Sequence, residues 1–451
     1  MGYKIARLES RLKSTGEAIA MSLNIAKFYQ ACNPSPLVVS KAEDRKYYID
    51  FSSVRGVNIV RELGRSIKLS VDQPTCNLFT GHIGCGKSTE LQLLKAELEK
   101  QGFHAVYFES SQVLEMADVD VTDILLAIAR QLSESLQAIG IKLQPGFFAN
   151  LFTSIGELLQ TPLEFEGEFS VVIAKITAKT KDSPNLRSKL RQYLEPRTNS
   201  IINAINQEIL KPAQKILKQK DKKGLVVIVD NLDRLDNSIK PNGQIQPEYL
   251  FIERGEQLNQ LHCHVVYTVP LILVFSNALG RLANRFGKDP KVLPMVPVEL
   301  RQGGGECKEG MALLSQMVMA RAFPDENIVR RYDLITEVFD SPETLERLCR
   351  VSGGHVRNLL MLLRRCLERE DPPFPQACIE DVIKQRCNEL SLGIDENEWT
   401  LLREVAQQQI IRGEEKYQTL VRDMFVFEYR DNEGSWFDIN PILKEAKEFQ
   451  P

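Results

Sequence analysis

The sequence predicts an α/β fold in which helices cover both faces of a largely parallel sheet, followed by a mainly helical second half. Three observations lead to this prediction. Short apolar runs of strand length recur, at Cys76–Thr80, Gly224–Asp230 and His264–Val269. Segments with helical spacing of leucines separate them, and a glycine-rich loop joins the first run to the next helix. Runs that are apolar throughout are typical of strands buried on both faces of a parallel sheet.

The composition is that of a soluble globular protein. The chain has 451 residues, enough for two or three domains, with 43% hydrophobic and 26% charged residues. A net charge of -3 argues against nucleic-acid binding through overall charge and leaves a local basic patch open. No signal-peptide core opens the sequence, and the longest apolar run, at about 265–275, is too short to cross a bilayer. We therefore expect a cytoplasmic protein without membrane contact.

The loop after the first predicted strand carries the most specific pattern in the chain. It reads Gly81, His82, Ile83, Gly84, Cys85, Gly86, Lys87, Ser88 and Thr89. These residues fit the phosphate-binding pattern G-x-x-x-x-G-K-[ST] at every fixed position. Backbone N–H groups of such a loop surround a phosphate chain at the positive end of the following helix. Lys87 is expected to reach the β- and γ-phosphates and Ser88 to ligate Mg²⁺, so the sequence predicts an ATP site.

The order of the other elements predicts a core at 37–302, preceded by a helical lead at 1–36. A second strand is expected at Phe103–Glu109 and a helix at Asp120–Ala138. Residues 140–223 have a helical pattern interrupted by prolines, which indicates a helical insertion between two core strands. A last strand is expected at Val292–Val298, completing a three-layer α/β/α core.

Beyond residue 302 the pattern predicts two smaller domains. The first, at 303–370, is helical, and the second, at 371–451, begins at a proline-rich break. The helices expected are Gly310–Ala320, Ile328–Phe339, Ser341–Val351, Gly354–Arg369 and Glu396–Gln409. An apolar stretch at Thr419–Tyr429, a turn at 431–434 and a strand at Ser435–Ile439 form a hairpin. Helices followed by such a hairpin are typical of a winged-helix domain.

Acidic residues follow the strand that ends at Asp230. Asp230 is expected to lie at the rim of the sheet and to bind the Mg²⁺ shell. Hydrolysis also needs a group that orients the attacking water, and the next residue, Asn231, cannot accept a proton. Asp233 is the nearest alternative carboxylate, and its assignment as the base is only slightly favoured over a structural ion pair with Arg234.

Other candidate residues have a functional and a structural interpretation. Arg281 and Arg285 could reach a neighbouring subunit's site as arginine fingers, or they could lie on a solvated helix face. Thr268 ends a strand and could contact the γ-phosphate or the water, although a buried threonine needs no such role. Arg357 lies in the first turn of a helix, where it opposes the helix dipole and therefore favours an anionic partner such as a phosphate.

Aromatic residues upstream of the glycine-rich loop could enclose a nucleotide base. These are Tyr47, Tyr48 and Phe51, with the stretch Val57–Ile59. An apolar pocket suits an adenine ring. Packing in the protein core would explain the same residues.

Together, the motifs resemble those of the AAA+ and STAND branch of P-loop ATPases, including origin-recognition-like and KAP-type members. Gly81–Ser88 corresponds to Walker A and Leu225–Asp230 to Walker B, with the D-x-L-D-R extension ending at Arg234. Thr268 matches the sensor-1 position, and Gly353–Arg357 is similar to sensor 2. The resemblance implies an ATP-driven switch in which the helical domain and the winged helix close over the nucleotide.

The sequence departs from this family pattern at two positions. Many AAA+ proteins have Asp-Glu in Walker B, whereas this chain has Asp-Asn at 230–231; the extended form is more similar to KAP-type members. Many STAND winged helices carry a His-Pro pair that contacts the nucleotide, and Asn440 replaces that histidine.

Three functional hypotheses follow from the motifs. The first is a cytosolic Mg²⁺-dependent ATPase switch with slow turnover, in signalling or antiviral defence. ATP replacing ADP would then change its conformation, its homo-oligomeric state or its binding of a protein effector. The second is a DNA-associated ATPase of the origin-recognition or transposition-regulator kind, and the third is a nucleotide-gated scaffold. The predicted wing carries Glu428, Asp431 and Glu433 against one Arg430, which disfavours DNA.

Overall fold

The computed structural model describes residues 23–143, 146–160, 169–181, 183–240 and 243–449. Most of the predicted helical lead, residues 1–22, therefore lies outside the described residues. The rest of the lead contains one short helix, α1 (Ile25–Ala31), which begins at the capping residue Asn24.

A five-stranded parallel sheet forms the centre of the first half, with the spatial order β2-β3-β4-β1-β5. Its strands are β1 (Cys76–Gly81), β2 (Phe103–Glu109), β3 (Gly224–Asp230), β4 (His264–Thr268) and β5 (Lys291–Leu293). Along β3, Val226 and Ile228 pack on one face of the sheet, and Val227 and Val229 pack on the other. The α/β fold with a parallel sheet is thus confirmed.

Helices cover both faces of the sheet. Those up to residue 138 are α2 (Ala42–Arg45), α3 (Ile59–Leu69), α4 (Lys87–Lys100), α5 (Ser110–Val113) and α6 (Val121–Ala138). Helices α3 and α4 share one apolar cluster with Phe79 and Val226, whereas α6 shares another with Leu78 and Val227. Asp120 and Asp123 form a capping box at the start of α6.

The segment between β2 and β3 is helical, as predicted. After α6 it contains α7 (Gly146–Leu158), α8 (Phe169–Lys181), α9 (Pro184–Leu194), α10 (Thr198–Ala204) and α11 (Lys211–Gln219). A π-helical stretch, Ile205–Leu210, connects the last two. Phe148, Ile173 and Leu194 belong to the same apolar cluster as α6, so the insertion extends the core on that face of the sheet. Three short helices flank β4: α12 (Gln246–Glu248), α13 (Gly255–Leu258) and α14 (Leu279–Phe286).

The second half is helical and ends in a hairpin. Its helices are α15 (Lys308–Ala322), α16 (Ile328–Asp333), α17 (Pro342–Val351), α18 (Val356–Leu367), α19 (Gln376–Ser391), α20 (Glu396–Gln408) and α21 (Glu415–Arg422). The antiparallel strands β6 (Val426–Asp431) and β7 (Gly434–Ile439) follow. A single apolar cluster runs from Val296 to Ala446 through these elements.

Three predicted elements are wrong in their extent, and several helices, α19 and α21 among them, were not predicted. The apolar stretch expected at Thr419–Tyr429 divides, because residues 419–422 belong to α21 and β6 begins only at Val426. The expected strand at 292–298 ends at Leu293, because Val296 and Val298 leave the sheet and pack among the helices of the second half. The expected helix at 328–339 breaks after Asp333, because its last residues turn to pair with Phe374: the N–H of Phe374 donates to the carbonyl of Val338. Helix α19 follows the proline-rich break directly.

That break contains a fully buried side chain, Phe374, whose ring lies 5.8 Å from that of Phe339. Residues on both sides of it share the apolar cluster of the second half. Among the helices that the structure describes, none has the length and apolar content needed to cross a membrane.

Candidate functional site

The glycine-rich loop links β1 to α4 at the carboxyl edge of the sheet. Helix α4 begins at Lys87, and Gly86 precedes it with a left-handed φ of 107°. Gly84 has a φ of 93°, and a Cβ there would lie 2.8 Å from Cε1 of His355 and 2.9 Å from Cβ of Arg357. Glycine is therefore required at position 84 both by the backbone and by the approach of α18.

Lys87 is buried, and its ammonium group has three partners. Nζ donates to the carbonyls of Gly81 and His82, at 2.8 and 2.7 Å, and lies 2.9 Å from Oδ2 of Asp233. Burial acts to lower the pKa of Lys87, but the negative charge of Asp233 and other neighbouring groups outweigh it, so the pKa is raised. Asp233 thus pairs with Lys87, whereas the sequence offered Arg234 as its structural partner.

Asp230 and Ser88 lie next to each other at the same edge. The Ser88 hydroxyl forms a hydrogen bond with the Asp230 carboxyl group, and the Tyr107 hydroxyl donates to Oδ2 of Asp230 at 2.7 Å. Burial raises the pKa of Asp230, and the nearby charge of Asp233 adds to this effect. A hydroxyl and a carboxylate in contact are the hard oxygen ligands that Mg²⁺ prefers, so these residues fit that ion.

Thr268 braces the turn after β3. Its Oγ1 accepts the N–H of Leu232 at 2.9 Å and donates to the carbonyl of Val229 at 3.4 Å. The side chain is fully buried and does not line the cleft beside the glycine-rich loop. These contacts correspond to its structural interpretation, and its predicted contact with a phosphate stays a prediction.

Arg281 and Arg285 lie on α14, away from this cleft. The Arg281 guanidinium lies 3.7 Å from Glu248 and 3.5 Å from Glu253, and more than half of its side chain is exposed. Arg285 donates to the carbonyl of Ile252 at 2.9 Å and lies 3.4 Å from Glu256. Neither arginine reaches the site of its own chain.

Helix α18 contacts the glycine-rich loop directly. His355 caps the helix: its Nδ1 accepts the N–H of Asn358, so Nε2 carries the proton and donates to the carbonyl of Ile83 at 2.8 Å. Burial lowers the pKa of His355 to about 4. The N–H of Arg357 donates to the carbonyl of Gly84 at 3.2 Å.

Arg357 and Arg234 bring two cations to one side of the cleft without carboxylate partners. No residue that the structure describes forms an ion pair with either guanidinium, although both line the cleft. Burial lowers the pKa of Arg357, and the positive charge of Arg234 lowers it further. Two like charges near each other favour an anion between them.

The hairpin of the second half also reaches the glycine-rich loop. The N–H of Glu428 donates to Nε2 of His82 at 2.9 Å, and the rings of His82 and Phe427 are 5.7 Å apart. Glu428 is fully buried, so its assignment to an exposed acidic wing is wrong: β6 faces the loop there. The other acidic residues, Asp431 and Glu433, form ion pairs with Arg301 at 2.9 and 3.5 Å.

These elements enclose a cleft of about 840 Å³. One side of it is formed by the loop from Ile83 to Thr89 and by the turn that follows β3. The other side is formed by residues of α15, α18 and the segment 34–37, together with the aromatic residues Tyr47, Tyr48 and Phe51. The stretch Val57–Ile59, expected to enclose a base, lines a different depression. Asn440 is buried away from the cleft, where its Nδ2 donates to the carbonyl of Met424.

Sequence reasoning missed several residues of the cleft wall. Arg55 donates to the carbonyl of Cys85 at 2.6 Å, and Arg321 donates to the carbonyl of Tyr47 at 2.7 Å. Burial lowers the pKa of Arg321 to about 10. Tyr107 and Glu109 were missed too, although pairing of the second strand with Walker B would have placed them beside Asp230.

A comparison with protein families gives a match for the first part of the chain. Residues 58–240 match the sequence model of the KAP family P-loop domain. The predicted resemblance to KAP-type P-loop ATPases is confirmed. The match includes β1 to β3, the glycine-rich loop and the helical insertion, and it ends before β4. A comparison with curated protein sequences gave no match.

Solved structures similar to this chain include three proteins of low sequence identity. A Walker-type ATPase of Pyrococcus abyssi has a TM-score of 0.43 and 12% identity, covering 91% of this chain and 98% of that chain. The Aeropyrum pernix ORC2 protein, in ADPNP-ADP complexes, has a TM-score of 0.42 and 13% identity, covering 90% and 95%. Cdc6p from Pyrobaculum aerophilum has a TM-score of 0.37 and 12% identity, covering 88% and 94%.

Proposed function

We propose that the cleft binds ATP together with Mg²⁺ and hydrolyses the ATP to ADP and phosphate at a low rate. The observation that carries this proposal is the convergence of Lys87, Ser88 and Arg357 on one cleft at the end of a parallel sheet, with the buried Asp230 hydrogen-bonded to Ser88. Ligands of α/β proteins bind at that edge. The cations supply charge for phosphate groups, and the aromatic wall suits a base.

Each part of the cleft has a distinct role in this proposal. The backbone of Gly84–Ser88 binds the phosphate chain at the start of α4, and Lys87 exchanges Asp233 for phosphate oxygens. Ser88 and Asp230 hold Mg²⁺, which neutralises phosphate charge when bound. Arg357 contacts the terminal phosphate, because its guanidinium lacks a partner among the described residues and faces the cleft.

We also propose that the nucleotide controls the position of the second half. In this proposal residues 303–370 form a helical lid and residues 371–451 a winged helix. Both regions contact the glycine-rich loop, through His355 and through Glu428. Loss of the terminal phosphate would remove the anion opposite Arg357 and weaken the closed arrangement. This coupling supports a switch in signalling or defence, with a changed oligomeric state or effector contact as output.

The DNA-associated alternative has less support. Phosphate binding requires unpaired lysine and arginine side chains on the wing. Here the hairpin turn carries two carboxylates, Asp431 and Glu433, which form ion pairs with Arg301. A role for Arg281 and Arg285 in a neighbouring subunit's site would require both side chains to leave their ion pairs. Those pairs are with Glu248, Glu253 and Glu256.

ATP hydrolysis by the purified protein tests the site. We expect Lys87→Ala to abolish turnover and to weaken ATP binding at least tenfold. Lys95→Ala is the matched control, because Lys95 lies on the same helix and pairs with Glu99 on its exposed side. Turnover that survives Lys87→Ala would refute the assignment.

Mass photometry with ATP and with ADP tests the switch. We expect a larger particle with ATP if assembly is the output, and reduced turnover of Arg281→Ala and Arg285→Ala within that assembly. Equal mass in both nucleotides together with unchanged turnover of both variants would remove the assembly part of the proposal and leave the ATPase part.

A further inference from the structure

Hydrolysis of ATP requires a group that accepts a proton from the attacking water. Two carboxylates in this region are already engaged. Asp230 contacts Ser88 and the Tyr107 hydroxyl, and Asp233 lies 2.9 Å from the Lys87 ammonium. Asp230 has no free oxygen. Asp233 keeps a buried Oδ1 without a hydrogen-bond partner, but its position beside the ammonium makes it the counter-ion of Lys87.

A third carboxylate lies at the same edge of the sheet. Glu109 is the last residue of β2, and it is the register partner of Asp230 on β3. Because the strands are parallel, both carboxyl groups leave the sheet at its carboxyl end, where the glycine-rich loop follows β1. The Glu109 side chain is half-buried.

Hydrogen bonds hold one oxygen of Glu109 and leave the other available. Oε2 accepts Nδ2–H of Asn231 at 3.0 Å and Nε2–H of Gln112 at 3.1 Å. Oε1 accepts no hydrogen bond from a residue that the structure describes. A carboxylate fixed through one oxygen can accept a proton through the other without losing its orientation.

Asn231 connects this carboxylate to the cleft. It lines the cleft, and its left-handed φ of 65° lets its amide reach both Glu109 and the Ser111 hydroxyl, at 3.0 and 3.1 Å. The backbone N–H of Asn231 also donates to Oδ1 of Asp230 at 2.7 Å. One residue therefore orients both carboxyl groups.

We propose that Glu109 is the general base for ATP hydrolysis and that Asn231 is its positioning residue; this inference rests on the proposed function. The water oxygen forms a bond to the γ-phosphorus, and the bond from that phosphorus to the β–γ bridging oxygen breaks. ADP leaves with the electron pair of the broken bond. One water proton passes to Oε1 of Glu109 and then to solvent, and the other stays on the phosphate.

The variant Glu109→Gln tests the inference. Its side-chain oxygen can still accept from Asn231, but it cannot take a proton, so we expect single-turnover hydrolysis to fall at least about 100-fold. The dissociation constant for ATP should stay within about threefold of the wild-type value. Glu115→Gln is the matched control and should retain wild-type turnover, because Glu115 lies on the segment after α5 and its carboxylate faces Arg187 at 3.8 Å.

A double-mutant cycle separates positioning from folding. Asn231→Ala should slow hydrolysis about tenfold or more, and the double variant should be no slower than Glu109→Gln, because the base is already absent. Additive losses would show that the two residues act separately and would overturn the role of Asn231. Parallel loss of ATP binding in Glu109→Gln would indicate a structural role and would overturn that of Glu109.

The same hydrolysis measurements distinguish failure of the ATPase proposal from failure of the inference about Glu109. If the wild-type protein hydrolyses ATP no faster than Lys87→Ala, the ATPase proposal fails and the inference fails with it. If the wild-type protein hydrolyses ATP and Glu109→Gln stays within threefold of it, the ATPase proposal stands and Glu109 is not the base.

Discussion

At the scale of single residues, the ion pair between Lys87 and Asp233 would compete with a phosphate group for the lysine. Both side chains are buried, and Lys87 must release Asp233 before it can bind a phosphate oxygen. We expect Asp233→Asn to tighten ATP binding roughly tenfold, about 1.4 kcal/mol, because a competing negative charge beside the phosphates is removed. Titration calorimetry with ATP measures this change.

Asp236→Asn is the control for that measurement. Asp236 lies three residues further along and is exposed, so its charge is screened by solvent. Its variant should bind ATP like the wild-type protein. Weaker ATP binding by Asp233→Asn would contradict the competition and would mean that the carboxylate helps to order the bound state.

Glu428 should make stability depend on pH. Its carboxyl group is fully buried, only Oε1 has a hydrogen-bond donor (Ser435, 2.7 Å), and burial raises its pKa to about 7. In the unfolded chain the pKa is near its ordinary value, so between these values the folded state retains a proton that the unfolded state releases. The protonated form therefore contributes stability at low pH, which is lost as the pH rises through 7.

Thermal unfolding of Glu428→Gln at two pH values checks this linkage. The variant cannot ionise, so relative to the wild type it should be more stable at pH ~8 than at pH ~5, by at most about 3 kcal/mol. Glu433→Gln is the control, because that side chain is largely exposed and should give no pH-dependent difference. An equal effect of Glu428→Gln at both pH values would refute the raised pKa.

At the scale of elements, the turn before α18 is fixed by close backbone packing. Gly354 has a φ of 69°, and a Cβ there would lie 1.7 Å from the carbonyl oxygen of Val296. We expect Gly354→Ala to lower the free energy of unfolding by more than about 4 kcal/mol, because the turn must move away from the segment after β5. Urea denaturation measures the loss.

Gly305→Ala provides the comparison for that substitution. Gly305 has a similar left-handed φ of 85°, but nothing lies within 4 Å of an added Cβ. Only backbone strain of about 1–2 kcal/mol is expected there. Equal losses for the two variants would mean that strain alone, and not contact with Val296, determines the cost at position 354.

The elements that could be predicted are those with a local signal. β2 and β3 were predicted with their observed ends, because apolar residues bounded by polar ones identify a buried strand without further context. The stretch 294–298 is also apolar, yet it does not extend the sheet: Val296 and Val298 pack among helices, and the N–H of Met295 donates to the carbonyl of Glu428. Sequence periodicity reports burial, and it does not distinguish a strand from extended chain buried elsewhere.

The residues of the candidate site could likewise be predicted only where a local sequence pattern marks them. Gly81–Ser88 and Asp230 were identified because they belong to contiguous sequence motifs whose function is known. The contacts of His82 with Glu428 and of Ile83 with His355 join residues more than 250 positions apart, and no local pattern encodes them. Glu109 needed the register of β2 against β3, which only the assembled sheet supplies.

At the scale of the whole molecule, the glycine-rich loop is where the two halves meet. His355 donates to Ile83, Arg357 to Gly84, and Glu428 to the His82 ring. The apolar cluster of α3 and α4 also includes Phe427 and Trp436 from the hairpin. The proposed switch would act through these direct contacts, because a ligand with different affinity for two arrangements shifts their populations.

Amide hydrogen exchange with ATP and with ADP tests this coupling. We expect residues 353–360 and 426–429 to exchange more slowly with ATP, because the terminal phosphate pairs with Arg357 and holds α18 against the loop. Arg357→Ala should abolish the difference between the nucleotides while both still bind. The exposed Arg330→Ala, on α16, should preserve it. Equal protection by ATP and ADP in the wild-type protein would contradict a switch in which Arg357 distinguishes the two nucleotides. The two ligands would then stabilise the same arrangement.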